Sequence, residues 1–216
     1  MIDLHTHSLF SDGELVPAEH VRRVEMLDYA AIAITDHADS SNIDFIVPRI
    51  VKVAADLNRY CKTRLLPGIE LTHVPPEMFM ELTRKALELG AKIVVAHGET
   101  PVEPVRPGTN RAALEADVDV LAHPGFITKE DAELAAAKGI LLEISGRKGH
   151  SLTNGHVAAM ARAAGAKMAV NADAHGPGDF LSAGMAEIVA LGAGLSPAEY
   201  AKVRADMAAL VARVSG

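Results

Sequence analysis

The chain has 216 residues, 49% of them hydrophobic, enough to bury a full core and suited to one α/β domain, which is expected to span residues 1–216. A net charge of −7 and only 4% aromatic residues exclude the basic track and stacking platforms of a non-specific nucleic-acid surface, so no stable nucleic-acid partner is expected. The longest purely apolar stretches, such as 93–96 and 140–142, fall far short of the ~20 residues that cross a bilayer, and no signal-peptide pattern precedes the first motif; the expected setting is the cytoplasm, with Cys61 a reduced thiol.

Short apolar segments then alternate with helical patterns. Strands are predicted near 2–4, 31–34, 65–69, 92–96, 119–122, 140–144 and 167–171, with helices between them and two after the last. Pro17-Ala18-Glu19, Pro75-Pro76-Glu77 and Ser196-Pro197-Ala198-Glu199 read as first helical turns. Gly90, Gly139 and Gly165 fall where helices hand over to strands. Successive βα units imply a parallel sheet, either open or closed into a barrel. No Gly-x-Gly-x-x-Gly follows the first strand and no Gly-Lys-Ser/Thr loop occurs, which removes the dinucleotide and P-loop readings.

The polar residues choose between the two sheets. His5 and His7 alternate along one strand and so share a face. Asp12 follows in a Ser-Asp-Gly turn, then His37, Glu70, His97, His123, Asp173 and His175, each at or just past the end of a predicted strand. Ligands drawn from nearly every strand converge only at the mouth of a barrel, and seven strands predict an irregular or incompletely closed one. Nine ligands exceed the four to six that one zinc, iron or manganese ion takes; three cations sharing one carboxylate would use the set. The irregular stretch 98–109 reads as a loop over the site.

The segments DLHTHS, SDG, ITDH, GIE, AHG, AHPG and NADAH, in that order, resemble the PHP (polymerase and histidinol phosphatase) family across essentially the whole chain, most closely its stand-alone histidinol-phosphatase-like members. The resemblance implies a distorted (β/α)7 TIM-like barrel and three divalent metal ions (Zn, Fe or Mn). It further implies that His5, His7, Glu70 and Asp173 hold the first, Asp12, His37 and His175 the second, and His97 and His123 a third bridged by Glu70. Asp12 stands where other members place a histidine, which shifts the second site toward manganese or iron. Three dications against Asp12, Glu70 and Asp173 leave about +3, so the mouth attracts phosphate although the chain is acidic.

Around this set, Arg147 and Lys148 sit among glycines after the sixth strand; a guanidinium there can grip phosphate bidentately, and the resemblance implies a basic phosphate-binding residue on this loop. Asp3 and Asp36 are expected to orient imidazoles or simply to end their strands. His150 and Asn154 line the pocket or cap the next helix, with capping favoured for Asn154; His73 reads as a satisfied loop histidine, His20 and His156 as structural, and Met78 and Met80 as core packing. The chemistry that follows is metal-assisted phosphomonoester hydrolysis, with metal-activated hydroxide attacking phosphorus in line and Arg147 and Lys148 neutralising the transferred group. Asp12, His175 and a metal-bound water stay open as the leaving group's acid. The rival readings are a nucleotide phosphatase or small exonuclease and a non-catalytic metal-binding module.

Overall fold

The computed structural model describes residues 1–215. All seven predicted strands form: β1 (Ile2–Asp3), β2 (Ala31–Ile34), β4 (Arg64–Leu71), β5 (Ile93–His97), β6 (Val120–Ala122), β7 (Leu141–Ser145) and β8 (Met168–Asn171). They lie side by side in the order β1-β2-β4-β5-β6-β7-β8, every pair parallel. An eighth, β3 (His37–Ala38), continues β2 after a break at Thr35-Asp36. β2 pairs with the first half of β4, from Ala31 against Arg64, and β3 with the second, where His37 lies opposite Glu70. The break thus sets His37 beside Glu70 without lengthening β2.

Closure of the ring is incomplete along its main chain. Among the described residues, main-chain contact between the first segment and the last comes down to the parallel bridge between Thr6 and Ala174, with His7 N–H donating to Ala174 O at 2.8 Å, and to Glu14 N–H donating to His175 O at 2.7 Å. Elsewhere side chains span the seam: Asn171 Oδ1 accepts from Leu4 N–H and Asp3 Oδ2 from Ala172 N–H, both at 3.0 Å. These bonds satisfy backbone donors that a full ladder would otherwise engage. The result is a distorted, nearly closed (β/α)7 barrel.

The strands are apolar and buried on both faces, as a helix-covered parallel sheet requires. Helices α1 (Pro17–Glu25), α2 (Ile43–Leu57), α3 (Phe79–Glu88), α4 (Thr109–Glu115), α5 (Lys129–Lys138), α6 (Asn154–Ala164), α7 (Ala183–Gly192) and α8 (Pro197–Ser215) surround them. α2 shows the pattern, with Ile43, Ile46, Val47, Ile50 and Ala54 on one buried stripe. Ser196 and Glu199 close a reciprocal cap at the start of α8, Ser196 Oγ accepting from Glu199 N–H and Glu199 Oε2 from Ser196 N–H. Gly90, Gly139 and Gly165 take left-handed conformations just past α3, α5 and α6.

Two local expectations change. Phe79 is buried and Met78 packs against the core, but Met80 is 59% exposed, because it falls on the outer face of α3. Asn154 does not cap α6; its amide pairs with Ser145, Oδ1 accepting from N–H and Nδ2 donating to O, and so ties the end of β7 to that helix. Among the described residues, no helix is long and apolar enough to cross a membrane.

Candidate metal centre

Parallel strands all end at the same rim of a barrel, so residues distant in sequence arrive together. His5 and His7 follow β1, His37 lies in β3, Glu70 in β4, and His97 ends β5. His123 follows β6, and Asp173 and His175 follow β8. His123 and Asp173 both have positive φ, 27° and 53°, a conformation that non-glycine residues adopt mainly where surrounding structure imposes it.

Eight of the nine residues fall in three overlapping groups, the donor atoms of each within 4.8 Å of one another. His5, His7 and Glu70 make one, His5, His123 and Asp173 a second, and His7, Asp12, His37 and His175 a third. Two ligands of one cation at ~2.1 Å stand ~3.0–3.4 Å apart for tetrahedral or octahedral angles. His5 Nε2 to Glu70 Oε1 is 3.3 Å, His7 Nε2 to Asp173 Oδ1 3.2 Å, and His175 Nε2 to Asp12 Oδ1 3.2 Å. His37 Nε2 to Asp12 Oδ1 is 3.5 Å. His7 belongs to two groups, its ring 4.1 Å from those of both His37 and His175, and so links the first of these groups to the third.

Hydrogen bonding fits three of the histidines to cations, while His175 Nδ1 accepts from Arg147 Nη1 at 2.7 Å. His5 Nδ1 faces Glu143 Oε2 at 2.8 Å, His37 Nδ1 faces Thr72 Oγ1 at 2.7 Å, and His97 Nδ1 faces Gly98 O at 3.2 Å. An acceptor at Nδ1 keeps the hydrogen there and leaves the Nε2 lone pair for a metal. Among the described residues, His5 Nε2, His7 Nε2, Glu70 Oε1 and Asp173 Oδ1 are buried without a hydrogen-bond partner. Buried polar atoms are rarely left so, and coordination satisfies all four.

Electrostatics mark the rim as a place that calls for positive charge. Burial drives His7 and His123 well below the usual imidazole range, toward the neutral form that ligates. At His5 burial opposes the proton, yet Glu143, Glu70 and Asp173 outweigh it and hold the group well above that range. Burial pushes Asp173 up to about 7. Glu70 resists the same burial because His5 and His37 hold it well below the ordinary carboxylate range. Buried carboxylates in such number call for positive charge nearby.

Several neighbours escaped the sequence reading. Glu143, fully buried in β7, is the residue that orients His5; the signal was a charged side chain inside an otherwise apolar strand. Asp3 and Asp36, expected either to orient imidazoles or simply to end their strands, hold backbone. Asp3 Oδ1 accepts from His5 N–H, and Asp36 accepts from the N–H and Oγ of Ser8 and of Ser11, fixing the turn that carries Asp12. His150 is buried and stacked on His123 at 4.0 Å, with His97 and His123 in a further ligand group. Glu103, on the 98–109 loop, touches His73, His97 and His150. His20 and His156 stand apart, His20 against Phe180 and His156 donating to Ile127 O.

A cavity of about 510 Å³ opens beside the group of Asp12, His37 and His175, walled by Asp12, Arg147, Lys148, Asp173 and His175. Arg147 donates from Nη1 to Asp173 O at 3.0 Å, and Lys148 is exposed at the rim. Another cavity, about 410 Å³, lies at the opposite ends of the strands among Met1, Ile2, Val170 and Met207. It is far from the ligand-bearing rim.

The model of the PHP domain family matches residues 3–150, which carry seven of the nine residues above. The chain belongs to the PHP family. Asp173 and His175 lie beyond the matched segment, and the barrel brings them back to its rim. An uncharacterized protein of Methanocaldococcus jannaschii is 49% identical over 199 residues, 91% of each chain. Among solved structures, histidinol phosphate phosphatase from Lactococcus lactis, complexed with zinc, L-histidinol and phosphate, is 19% identical, with 90% of this chain and 94% of that one covered and a TM-score of 0.64. An amidohydrolase structure is 16% identical, with 100% and 74% covered and a TM-score of 0.62. At these identities the two structures speak to the fold that this PHP protein shares.

Proposed function

We propose that the protein is a metal-dependent phosphomonoesterase acting on a small phosphorylated metabolite, similar to histidinol-phosphate phosphatase. The observation that carries this reading is the gathering of nine ligand-type side chains at one rim, in groups whose donor atoms lie within 4.8 Å, beside a cavity that Asp12, Asp173 and His175 line together with Arg147 and Lys148. Its volume of about 510 Å³ suits a small molecule. His5, His7, Glu70 and Asp173 would hold a first ion, Asp12, His37 and His175 a second, and His97 and His123, with Glu70, a third. Bound divalent cations would supply a water of lowered pKa and neutralise phosphate oxygens.

The chain's own groups prepare the rest. Glu143 and Thr72 face Nδ1 of His5 and of His37, so that Nε2 is the nitrogen each ring would offer a cation. Arg147, half-buried and braced on Asp173 O, lines the cavity, and Lys148 adds an exposed charge at the rim. Burial would raise the Asp12 carboxyl, but a hydrogen bond from His175 and the nearby charges of His37 and His175 prevail and hold it ionised. That state suits Asp12 as ligand or base better than as the leaving group's acid.

The test is a panel of phosphomonoesters including histidinol phosphate, with metal content measured on the same preparation. At least two tightly bound ions are expected, with p-nitrophenyl phosphate hydrolysis lost in His123→Ala. Fewer than two ions, or an unchanged rate in that variant, would overturn the reading. Faster cleavage of bis(p-nitrophenyl) phosphate than of the monoester would replace it with nuclease activity.

A further inference from the structure

The 98–109 loop leaves β5 directly after His97 and returns at α4. Its neck is closed by its own side chains. Glu99 Oε1 accepts from Gly108 N–H at 3.0 Å and Asn110 N–H at 2.9 Å, while Asn110 Oδ1 accepts from Glu99 N–H at 3.0 Å. Asn110 Nδ2 donates to Pro124 O, fastening the neck to the segment that bears His123. From this frame Glu103 reaches down to the rim. Its Oε2 is 3.1 Å from His97 Nε2 and 3.1 Å from His73 Nε2, and its Oε1 is 3.4 Å from His150 Nε2.

These separations match the ~3.0–3.4 Å between ligands of one cation. His97 has only Nε2 to give, since its Nδ1 faces Gly98 O, so a metal taken by His97 lies within reach of Glu103 as well. His150 is placed the same way: Thr100 Oγ1 meets its Nδ1 at 2.7 Å, and its Nε2 turns toward Glu103. Both Thr100 and Glu103 belong to the loop.

Resting on the metal-centre reading above, we propose that Glu103 and His150 complete the third cation's shell, so that the bound cation clamps the 98–109 loop over the site. With Glu70, His97 and His123, the ion then has five protein ligands, three imidazoles and two carboxylates. A shell so nearly filled leaves little room for substrate, as in closed structural sites. The third ion would then hold the loop in place over the other two, and activity would depend on it through that placement.

The experiment uses the full-length protein stripped of metal and titrated with Mn²⁺ or Zn²⁺ against a competing chelator, with amide hydrogen exchange followed across 98–109. Wild-type protein should take three ions, the last of them protecting the loop. Glu103→Gln should weaken that ion roughly tenfold or more, by analogy with removal of a metal-site partner, and abolish the protection while the first two ions bind as before. Their uptake shows that the variant is folded. Three ions bound with unchanged affinity in Glu103→Gln, or loop protection unaltered, would overturn the clamp and leave the metal centre standing. A wild-type chain that takes only two ions overturns the clamp too; fewer than two overturns the metal centre itself.

Discussion

Glu143 places a buried charge in β7 where the other side chains are apolar or small, and its cost is met by two bonds: His5 Nδ1 at 2.8 Å and Asn171 Nδ2 at 2.9 Å. The carboxylate therefore sets both the tautomer and the tilt of His5. Glu143→Gln keeps the shape and removes the charge, and is expected to weaken the first ion's binding by about 10- to 100-fold, read by chelator competition. An unchanged affinity would show that His5 needs no such partner. His20 makes a different prediction. Burial against Phe180, with no ring partner among the described residues, lowers its pKa to about 4. The unfolded chain titrates this group near 6.5, so between the two values only the unfolded state gains the proton. Its share of stability is present above pH ~6.5 and is lost as pH falls to about 4, about 3 kcal/mol in all. Urea unfolding of wild type and His20→Leu should show their difference moving by that amount toward the variant between pH 7 and pH 4. A difference independent of pH would refute it.

The elements that carry ligands are held by close backbone approach, and motif glycines permit it. Gly125 of the Ala122-His123-Pro124-Gly125 segment has φ 62°, and a Cβ there would lie 1.9 Å from Glu99 O. Gly125→Ala must push the His123 segment away from the 98–109 loop, at a cost of at least ~2 kcal/mol, which corresponds to roughly 4–8 °C in Tm for a chain of this size. Gly184→Ala, inside α7 with open space around it, should be neutral or stabilising. Equal melting temperatures for the two variants would contradict this account. The same approach at Gly13, whose Cβ would meet His7 O at 2.3 Å, explains the glycine of the Ser-Asp-Gly turn. The strands and their order were legible because apolar runs and helix starts are local signals. The split of the second strand was not, since Thr35-Asp36 departs from the sheet to let Asp36 bind Ser8 and Ser11.

Across the whole molecule, an acidic protein of net charge −7 concentrates positive charge at one rim once cations bind. The three dications proposed above, set against Asp12, Glu70, Asp173, Glu103 and Glu143, would leave about +1, to which Arg147 and Lys148 would add, a balance that would still draw phosphate in. Ions that bind only the native ring also stabilise it, by about 4 kcal/mol for each present at a thousandfold its Kd. Chelation should lower Tm by roughly 10 °C or more in calorimetry, and an unchanged Tm would argue against tight binding. The sequence alone determined the βα order, the seven strands and the nine strand-end residues, because spacing along the chain places each at the end of its own element. The tertiary structure decided which of them meet. Glu143 reaches His5 across 138 residues and Asn171 reaches Leu4 across 167, pairings that exist only because the ring brings its last strands back to its first. His7 standing between two groups, and Glu103 descending on His97, are likewise set by how the barrel closes and how its loop is tied, which no local pattern encodes.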